Sequence, residues 1–335
     1  MSKIKIFEAF AGYGSQSIAL RNIGVDYEVA GISEIDKYAI QAYEAIHGKV
    51  NNLGDISKID VSAIPSHDLF TYSFPCQDIS AAGKTRGIIR GQTRSGLLYE
   101  CEKIIEYCKP KYLLLENVKN LVSKKFEVQF IKWLKYLNSL GYTNYWKVLN
   151  AKDYGVPQNR ERVFVVSILG EHKPYKFPKA INLTTHVKDI LEDEVDEKYY
   201  LSQKWQDTFT TLTRPRLNTK LQLFQAINTK LETQKVDTIK IIGNVPDKFS
   251  QNARVIDQYG VSPTLLTSKA VKIVDSNRIR YITPRESFRL MGLNDDDIDK
   301  IQQSGISDNQ QYKLAGNSIV VNVLEAIFQS LFEDK

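Results

Sequence analysis

The chain has 335 residues, 42% hydrophobic and 25% charged, which suits a globular protein with one large core and a second, smaller lobe. No apolar run approaches the ~18 residues of a membrane span, and Met1-Ser2-Lys3-Ile4-Lys5-Ile6 lacks a secretory signal's apolar stretch and small-residue cleavage site. The expectation is a cytoplasmic protein with no membrane partner. The net charge of +6 suits a polyanionic partner without establishing one. Three cysteines, Cys76, Cys101 and Cys108, make no disulfide framework. Neither they nor the scattered histidines have zinc spacing, so no metal is expected.

Ile4 to Phe10 alternates like a strand and runs into Ala11-Gly12-Tyr13-Gly14-Ser15, then a helical stretch from Gln16 to Asn22 that stops at Gly24. Glu28 to Ile32 is a second strand and Lys37 to His47 a second helix. Leu69 to Ser73 is a third strand, Leu97 to Cys108 a helix, and Tyr112 to Leu115 a short strand ending at Glu116-Asn117. Alternation of this kind predicts an α/β fold: a Rossmann-like parallel sheet with helices on both faces. Thr143 to Leu149 and Arg162 to Ile168 read as an antiparallel addition to it. From about Pro178 to Asp275 the chain is polar with weak periodicity, the signature of a smaller, mostly β or irregular lobe. Gln311 to Phe332 returns as one amphipathic helix. The domain reading is 1–178, 179–305 and a returning segment 306–335.

Two motifs carry chemistry. In the first, Phe10, Gly12, Tyr13 and Gly14 join a strand to a helix, where glycines admit close backbone approach and a helix N-terminus offers amide donors. The third glycine of a dinucleotide fingerprint is missing, which counts against a nicotinamide cofactor. Glu34, with Ile35 beside it, ends the second strand and is placed for ribose hydroxyls. Asp55, followed by Ile56, suits an adenine amino group. Each acid taken singly is more often a solvated turn residue; together they describe a nucleoside pocket. The second motif is Pro75-Cys76-Gln77 after the third strand, where a thiolate can attack an electrophilic ring carbon. An isolated cysteine there reads more simply as structural. Cys101 and Cys108 lie in a helix as small apolar residues.

The ordered set of segments resembles the cytosine carbon-5 DNA methyltransferases of bacterial restriction–modification systems over nearly the whole chain. Phe10 to Gly14 is similar to the S-adenosyl-L-methionine loop and Pro75-Cys76-Gln77 to the catalytic loop. Arg94-Ser95-Gly96-Leu97 is similar to a segment whose leucine touches the cofactor, and Glu116-Asn117-Val118 to the family's Glu-Asn-Val. Gln158-Asn159-Arg160-Glu161-Arg162 resembles Gln-x-Arg-x-Arg. Thr283-Pro284-Arg285-Glu286 and Arg289-Leu290-Met291-Gly292 resemble a structural segment, and Gly316-Asn317-Ser318 the C-terminal cofactor motif.

The resemblance implies roles. The Cys76 thiolate adds to carbon 6 of cytosine, making an enamine that takes the cofactor methyl at carbon 5; the carbon-5 proton then leaves and Cys76 is expelled. Glu116 sits against N3 and the exocyclic amine and donates a proton to N3, which requires burial to keep its carboxyl protonated. Arg162 contacts O2, Arg160 a backbone phosphate or nearby acid, and Asn117 braces the catalytic loop. Cofactor contacts are expected from Phe10, Gly12, Tyr13, Gly14, Glu34, Ile35, Asp55, Ile56, Pro75, Leu97, Asn317 and Ser318. The target base must be flipped out of double-stranded DNA. Ser80, Lys84, Arg86 and Arg94 on a mobile loop are expected to meet the DNA, with Arg90 a further cation there and Ala82 where relatives carry a small polar residue. Gln251 would fill the vacated space, Arg254 would meet DNA, and Thr264 would steady the flipped nucleotide's phosphate. Base readers would come from 210–252, with Arg214, Arg216, Asn218, Gln222 and Asn228 as candidates.

A monomer is expected, and any cognate restriction endonuclease would act as a separate protein. Two rival readings share the scaffold, a tRNA cytosine-5 methyltransferase and a catalytically silent DNA-binding regulator. Intact Cys76, Glu116 and Arg162 argue against the second.

Overall fold

Strands β1 (Ile4–Ala9), β2 (Tyr27–Ser33), β3 (Leu69–Tyr72) and β4 (Tyr112–Val118) lie parallel in the order β2-β1-β3-β4 in this computed structural model. It describes residues 3–80, 86–211, 237–247 and 250–332. After β5 (Tyr142–Asn150) and the two-residue β6 (Gln158–Asn159) comes β7 (Glu161–Leu169), which pairs antiparallel with β4 and carries β5 as the sheet edge. The antiparallel addition expected at 162–168 is therefore present. β4 runs past its expected end at Glu116-Asn117 to Val118, because β7 offers a partner along its whole length.

The chain divides into two compact units, Met1–Leu149 with Glu161–Lys179 and Val323–Lys335, and Asn150–Arg160 with Ala180–Asn322. The first crossover lies close to residue 179. Residues 150–160 join the second unit, and the return to the first comes at Val323, later than 306.

In the first unit helices cover the sheet. α1 (Ser15–Asn22) and α2 (Lys37–His47) follow β1 and β2; the Asp36 side chain caps α2 by accepting from Tyr38 N at 3.0 Å. α3 (Leu98–Cys108) and α4 (Glu127–Ser139) bury Cys101, Ile104, Ile105, Phe130, Trp133, Leu134 and Leu137 in the cluster that holds Phe7, Phe70, Leu113 and Val165. Cys101 is thus a core residue, as its helical setting predicts, and Cys108 is half-buried. α4 is absent from the expected elements, although Phe130, Trp133, Leu134 and Leu137 have the spacing of one helical face.

The second unit has a five-stranded sheet. Its strands are β8 (Thr210–Thr211), β9 (Ile241–Asn244), β10 (Arg254–Ile256), β12 (Lys272–Asp275) and β13 (Arg278–Tyr281), and its order is β13-β12-β10-β9-β8. The short β11 (Ser262–Pro263) pairs instead with β6. Around them lie α5 (Pro284–Arg289), α6 (Asp295–Gln303) and α7 (Asp308–Asn317). The segment Thr283-Pro284-Arg285-Glu286 is a capping box with proline in the first turn. The same Glu286 accepts both terminal nitrogens of Arg280 at 2.8 Å, and both residues are fully buried. Arg280 Nε also donates to Asp275 Oδ2 at 2.6 Å, so the buried guanidinium serves two carboxylates.

The single helix expected at 311–332 is broken. α7 ends at Asn317, and α8 (Val321–Phe332) begins three residues beyond Ser318. The stretch Asp308–Phe332 is apolar and long enough for a membrane span by composition, yet 56% of its most apolar window is buried in the fold. In the first unit Phe332 meets Tyr112 edge-on, with ring centroids 5.6 Å apart.

Candidate active site

The carboxyl ends of β1, β2, β3 and β4 share one sheet edge, because the parallel register aligns Ala9 with both Ser33 and Tyr72, and Thr71 with Leu114. The chain leaves β1 toward β2 on one side and β3 on the other. That is the switch point where open α/β sheets take ligands.

After β1 the backbone turns sharply. Phe10, Gly12 and Gly14 all have positive φ, at 57°, 58° and 81°. A Cβ on Gly14 would lie 2.5 Å from His47 Nε2 and 2.7 Å from Tyr43, so only glycine fits the entry to α1. Glu34 holds the loop: its Oε2 accepts from Gly12 N at 3.0 Å and its Oε1 from Ile35 N and Asp36 N, both at 2.8 Å. A carboxylate has about four acceptor positions, which leaves room on Oε2 for a ribose hydroxyl.

Asn52 joins the next segment to this one. Its Oδ1 accepts from Glu34 N and Gly54 N, and its Nδ2 donates to Glu34 O. Asp55 follows, and the Ser57 hydroxyl and amide hold its carboxyl below the usual range, so it stays an ionised acceptor. Ile35 is 71% exposed despite its apolar side chain, a surface that an adenine ring would cover. Tyr13 and Ile56 are buried, so any contact they make comes from the main chain. The tight turn, the two anchored acids and the bare apolar side chain together fit an adenosyl cofactor.

Beneath the loop, fully buried Glu8 accepts from Tyr43 Oη at 2.7 Å and from Ser17 N and Oγ at 3.1 Å. Burial raises its carboxyl from 4.5 to about 7, although Tyr43 and Ser17 pull it down. Its contribution to stability is fully present below the unfolded value and is lost as pH rises through about 7. The loss amounts to about 3 kcal/mol. Glu8→Gln keeps the contacts, since the amide can accept from Ser17 and donate to Tyr43. It should remove this part of the decline in urea midpoint between about pH 5 and pH 8; equal slopes for the two chains would refute the assignment.

At the next strand ends lies the half-buried Cys76. Its carbonyl accepts from Ile79 N at 2.9 Å and Ser80 N at 2.7 Å, a tight turn that displays the residue at the end of β3. Asn117 Nδ2 donates to Phe74 O at 2.9 Å, the brace expected of it. Ser95 Oγ donates to Pro75 O at 2.6 Å, and Leu97 packs half-buried on the adjoining core.

Glu116 pairs across the sheet with Phe164, and Val118 with Arg162. Residues two apart on a strand share a face, so Arg162 and Glu116 meet, Nε to Oε1 at 3.2 Å. Glu116 is 8% exposed. The nucleophile candidate and this pair therefore come from the adjacent strands β3, β4 and β7 of one unit.

Arg160 does not behave as expected. It is 3% exposed and lies in the second unit, where its guanidinium donates to Gly316 O at 2.9 Å, Ser318 O at 2.7 Å and Leu265 O at 3.4 Å. A buried guanidinium bonded to three carbonyls is no phosphate ligand; it braces the turn of Asn317 and Ser318. Gly316 must be glycine there, since a Cβ would collide with the Leu266 carbonyl. Asn317 is exposed, and Ser318 is buried with its Oγ on Leu314 O. Thr264 Oγ1 donates to Asn159 O at 2.7 Å, and Arg254 lies half-buried on β10.

Of the DNA candidates in the first unit, Ser80 is half-buried, and Arg86 and Arg94 are exposed but engaged, with Asp78 and Gln77. Arg90 pairs with Glu102 and lies over the Tyr99 ring. Ala82, Lys84, Arg214, Arg216, Asn218, Gln222, Asn228 and the side chain of Gln251 lie outside the described residues. Sequence reasoning missed Asn52, Asp78 and Ser95. Of these Asn52 carried a signal, an Asn-x-Gly pattern that favours an Asx turn.

Over its full length the chain is 39% identical to the type II methyltransferase M2.ScrFI of Lactococcus lactis, covering 99% of this chain and 100% of that one. It is 36% identical to M.NlaX of Neisseria lactamica, with 98% and 96% covered. A Dnmt2 methyltransferase structure from S. pombe has the same fold, with a TM-score of 0.70 at 18% identity over 99% of each chain. The C-5 cytosine-specific DNA methylase model matches residues 4–333. A match of that extent places the chain in this family, enzymes that methylate carbon 5 of cytosine in DNA with S-adenosyl-L-methionine.

Proposed function

We propose that Cys76 adds to carbon 6 of a cytosine flipped out of a specific double-stranded DNA sequence. The observation that supports this most directly is the meeting of Glu116 and Arg162 on the strands next to the Cys76 turn. Carbon 5 of cytosine is too weak a nucleophile until a thiolate has added at carbon 6. Glu116 then serves N3 and the exocyclic amine, and Arg162 serves O2, where negative charge gathers as the adduct forms. S-adenosyl-L-methionine supplies the methyl group when bound. Gly12, Gly14, Glu34, Ile35, Asp55 and Leu97 orient it, Glu34 toward the ribose and Asp55 toward the adenine amine. Arg160 acts indirectly, by holding the Asn317-Ser318 turn.

On the DNA side, Ser80, Lys84, Arg86 and Arg94 serve the strand around the flipped base, and Gln251, Arg254 and Thr264 act from the second unit. Flipping costs a few kcal/mol, which such contacts must offset. The enzyme works as a cytoplasmic monomer, and any cognate restriction endonuclease is a separate protein reading the same sequence.

Bisulfite sequencing of plasmid from cells expressing the chain tests this, together with labelled methyl transfer to DNA and to tRNA. The expected result is protected cytosines at one short motif, with label on DNA alone. Complete conversion at all cytosines with no label on DNA would end the reading, and label on tRNA alone would replace the substrate.

A further inference from the structure

Asp78 is 2% exposed although it stands two residues after Cys76 on the way to a basic surface loop. Its Oδ2 accepts from Arg94 N at 2.9 Å and Ser95 N at 3.3 Å, its Oδ1 from Arg86 Nε at 2.9 Å, and its carbonyl from Gly87 N at 2.9 Å. The segment so gathered reaches back to the nucleophile's neighbours. Ser95 Oγ donates to Pro75 O, and Arg94 to Gln77 Oε1 at 2.8 Å. From the other side Asn120 Nδ2 donates to Ile79 O and Asn117 Nδ2 to Phe74 O. Four of the five residues flanking Cys76 are held from outside their own turn, and the fifth is Asp78 itself, which ties down the two residues holding Pro75 and Gln77.

We infer that Asp78 is a positioning residue for Cys76, a single carboxylate that locks the 86–95 segment onto the turn carrying the nucleophile. The inference rests on the role proposed for Cys76. Its chemistry is specific, because three N–H donors converge on two oxygens and only a group without donors of its own can satisfy them all. An amide cannot. Asn at 78 can turn its oxygen to Arg94 N and Ser95 N, but its NH2 then faces Arg86 Nε, donor against donor; turned round, it faces two backbone N–H groups. Removing the Arg86 side chain ends that conflict and lets the amide oxygen serve the backbone pair.

The test compares the native chain with Asp78→Asn, Arg86→Ala and the double variant, by single-turnover methyl transfer at saturating DNA and cofactor. Cofactor affinity and thermal midpoint are measured on the same samples. Asp78→Asn should slow transfer about 30-fold, since sub-ångström misplacement of a reacting group costs rates of that order. Cofactor affinity should stay within about twofold. The double variant should transfer faster than Asp78→Asn alone, because the amide oxygen is then free for Arg94 N and Ser95 N, whereas a merely structural role would move the thermal midpoint together with the rate. The inference is overturned if Asp78→Asn matches the native rate, or if the double variant is as slow as the product of the single effects. If the native chain transfers no methyl to any DNA, the functional reading falls first and this inference with it.

Discussion

A chain with serine in place of Cys76 should methylate DNA at least about 10⁴-fold more slowly than the native chain, the scale on which enzymes lose rate when their nucleophile is removed. The reason is chemical. A thiol reaches its thiolate at accessible pH and is a strong nucleophile even when only a few per cent ionised, whereas a serine hydroxyl needs an activating base to attack at all. Without addition at carbon 6 the ring keeps its aromatic character, and carbon 5 has no electron pair to offer. Structure should survive the exchange. Cys76 is half-buried in a turn held by its main-chain carbonyl and by Asn117 and Ser95, none of which uses the sulfur. The variant should therefore keep its thermal midpoint and its affinity for S-adenosyl-L-methionine. DNA carrying 5-fluorocytosine gives a second readout, since no proton can leave carbon 5 and the adduct persists. The native chain should form a denaturant-stable complex and the serine variant none. Transfer by the variant within tenfold of native, or an equally stable complex, would remove Cys76 from the mechanism.

Much of the first unit could be read from the sequence because its signals are local. α2 runs over the expected residues since Asp36 caps one end and Gly48 closes the other. The strand–glycine–helix pattern places the loop at Gly12 and Gly14 without reference to the rest of the chain. What the sequence hid depended on distant partners. β4 continues through Glu116 only because β7 pairs with it, and the break after α7 is braced by Arg160, more than one hundred residues earlier, which takes Gly316 O and Ser318 O. In the second unit the strands are two to four residues long and join segments as far apart as Gln158 and Ser262. Period-two alternation has no length over which to show there. Charge misled as well. The resemblance gives Arg160 a backbone phosphate or a nearby acid, yet the carbonyls that take its guanidinium lie more than one hundred residues away. Asp78 was invisible for the same reason, its donors being backbone groups brought in by folding.

Glu116→Gln should lower single-turnover methyl transfer by about 10² to 10³-fold, the range for a lost general acid or a lost charge-stabilising donor. In the ligand-free protein buried Glu116 faces Arg162, Nε to Oε1 at 3.2 Å. The proposed reaction needs a proton delivered from Glu116 to N3 as the Cys76 adduct forms. The incoming base separates the pair, its O2 taking Arg162 and its N3 and amine taking Glu116. The two residues then act as one device, and their variants should not add. Arg162→Ala alone should cost about 10 to 10²-fold, and the double variant should be little worse than Glu116→Gln. Glutamine is the informative replacement at 116, because it keeps the shape and can still face the base but has no proton to give. DNA affinity should change by no more than a few-fold, since neither side chain is assigned to the phosphate backbone. Independent, multiplicative losses from the two substitutions would mean that Glu116 and Arg162 are separate contacts. A Glu116→Gln chain that transfers at the native rate would mean that N3 receives its proton from elsewhere.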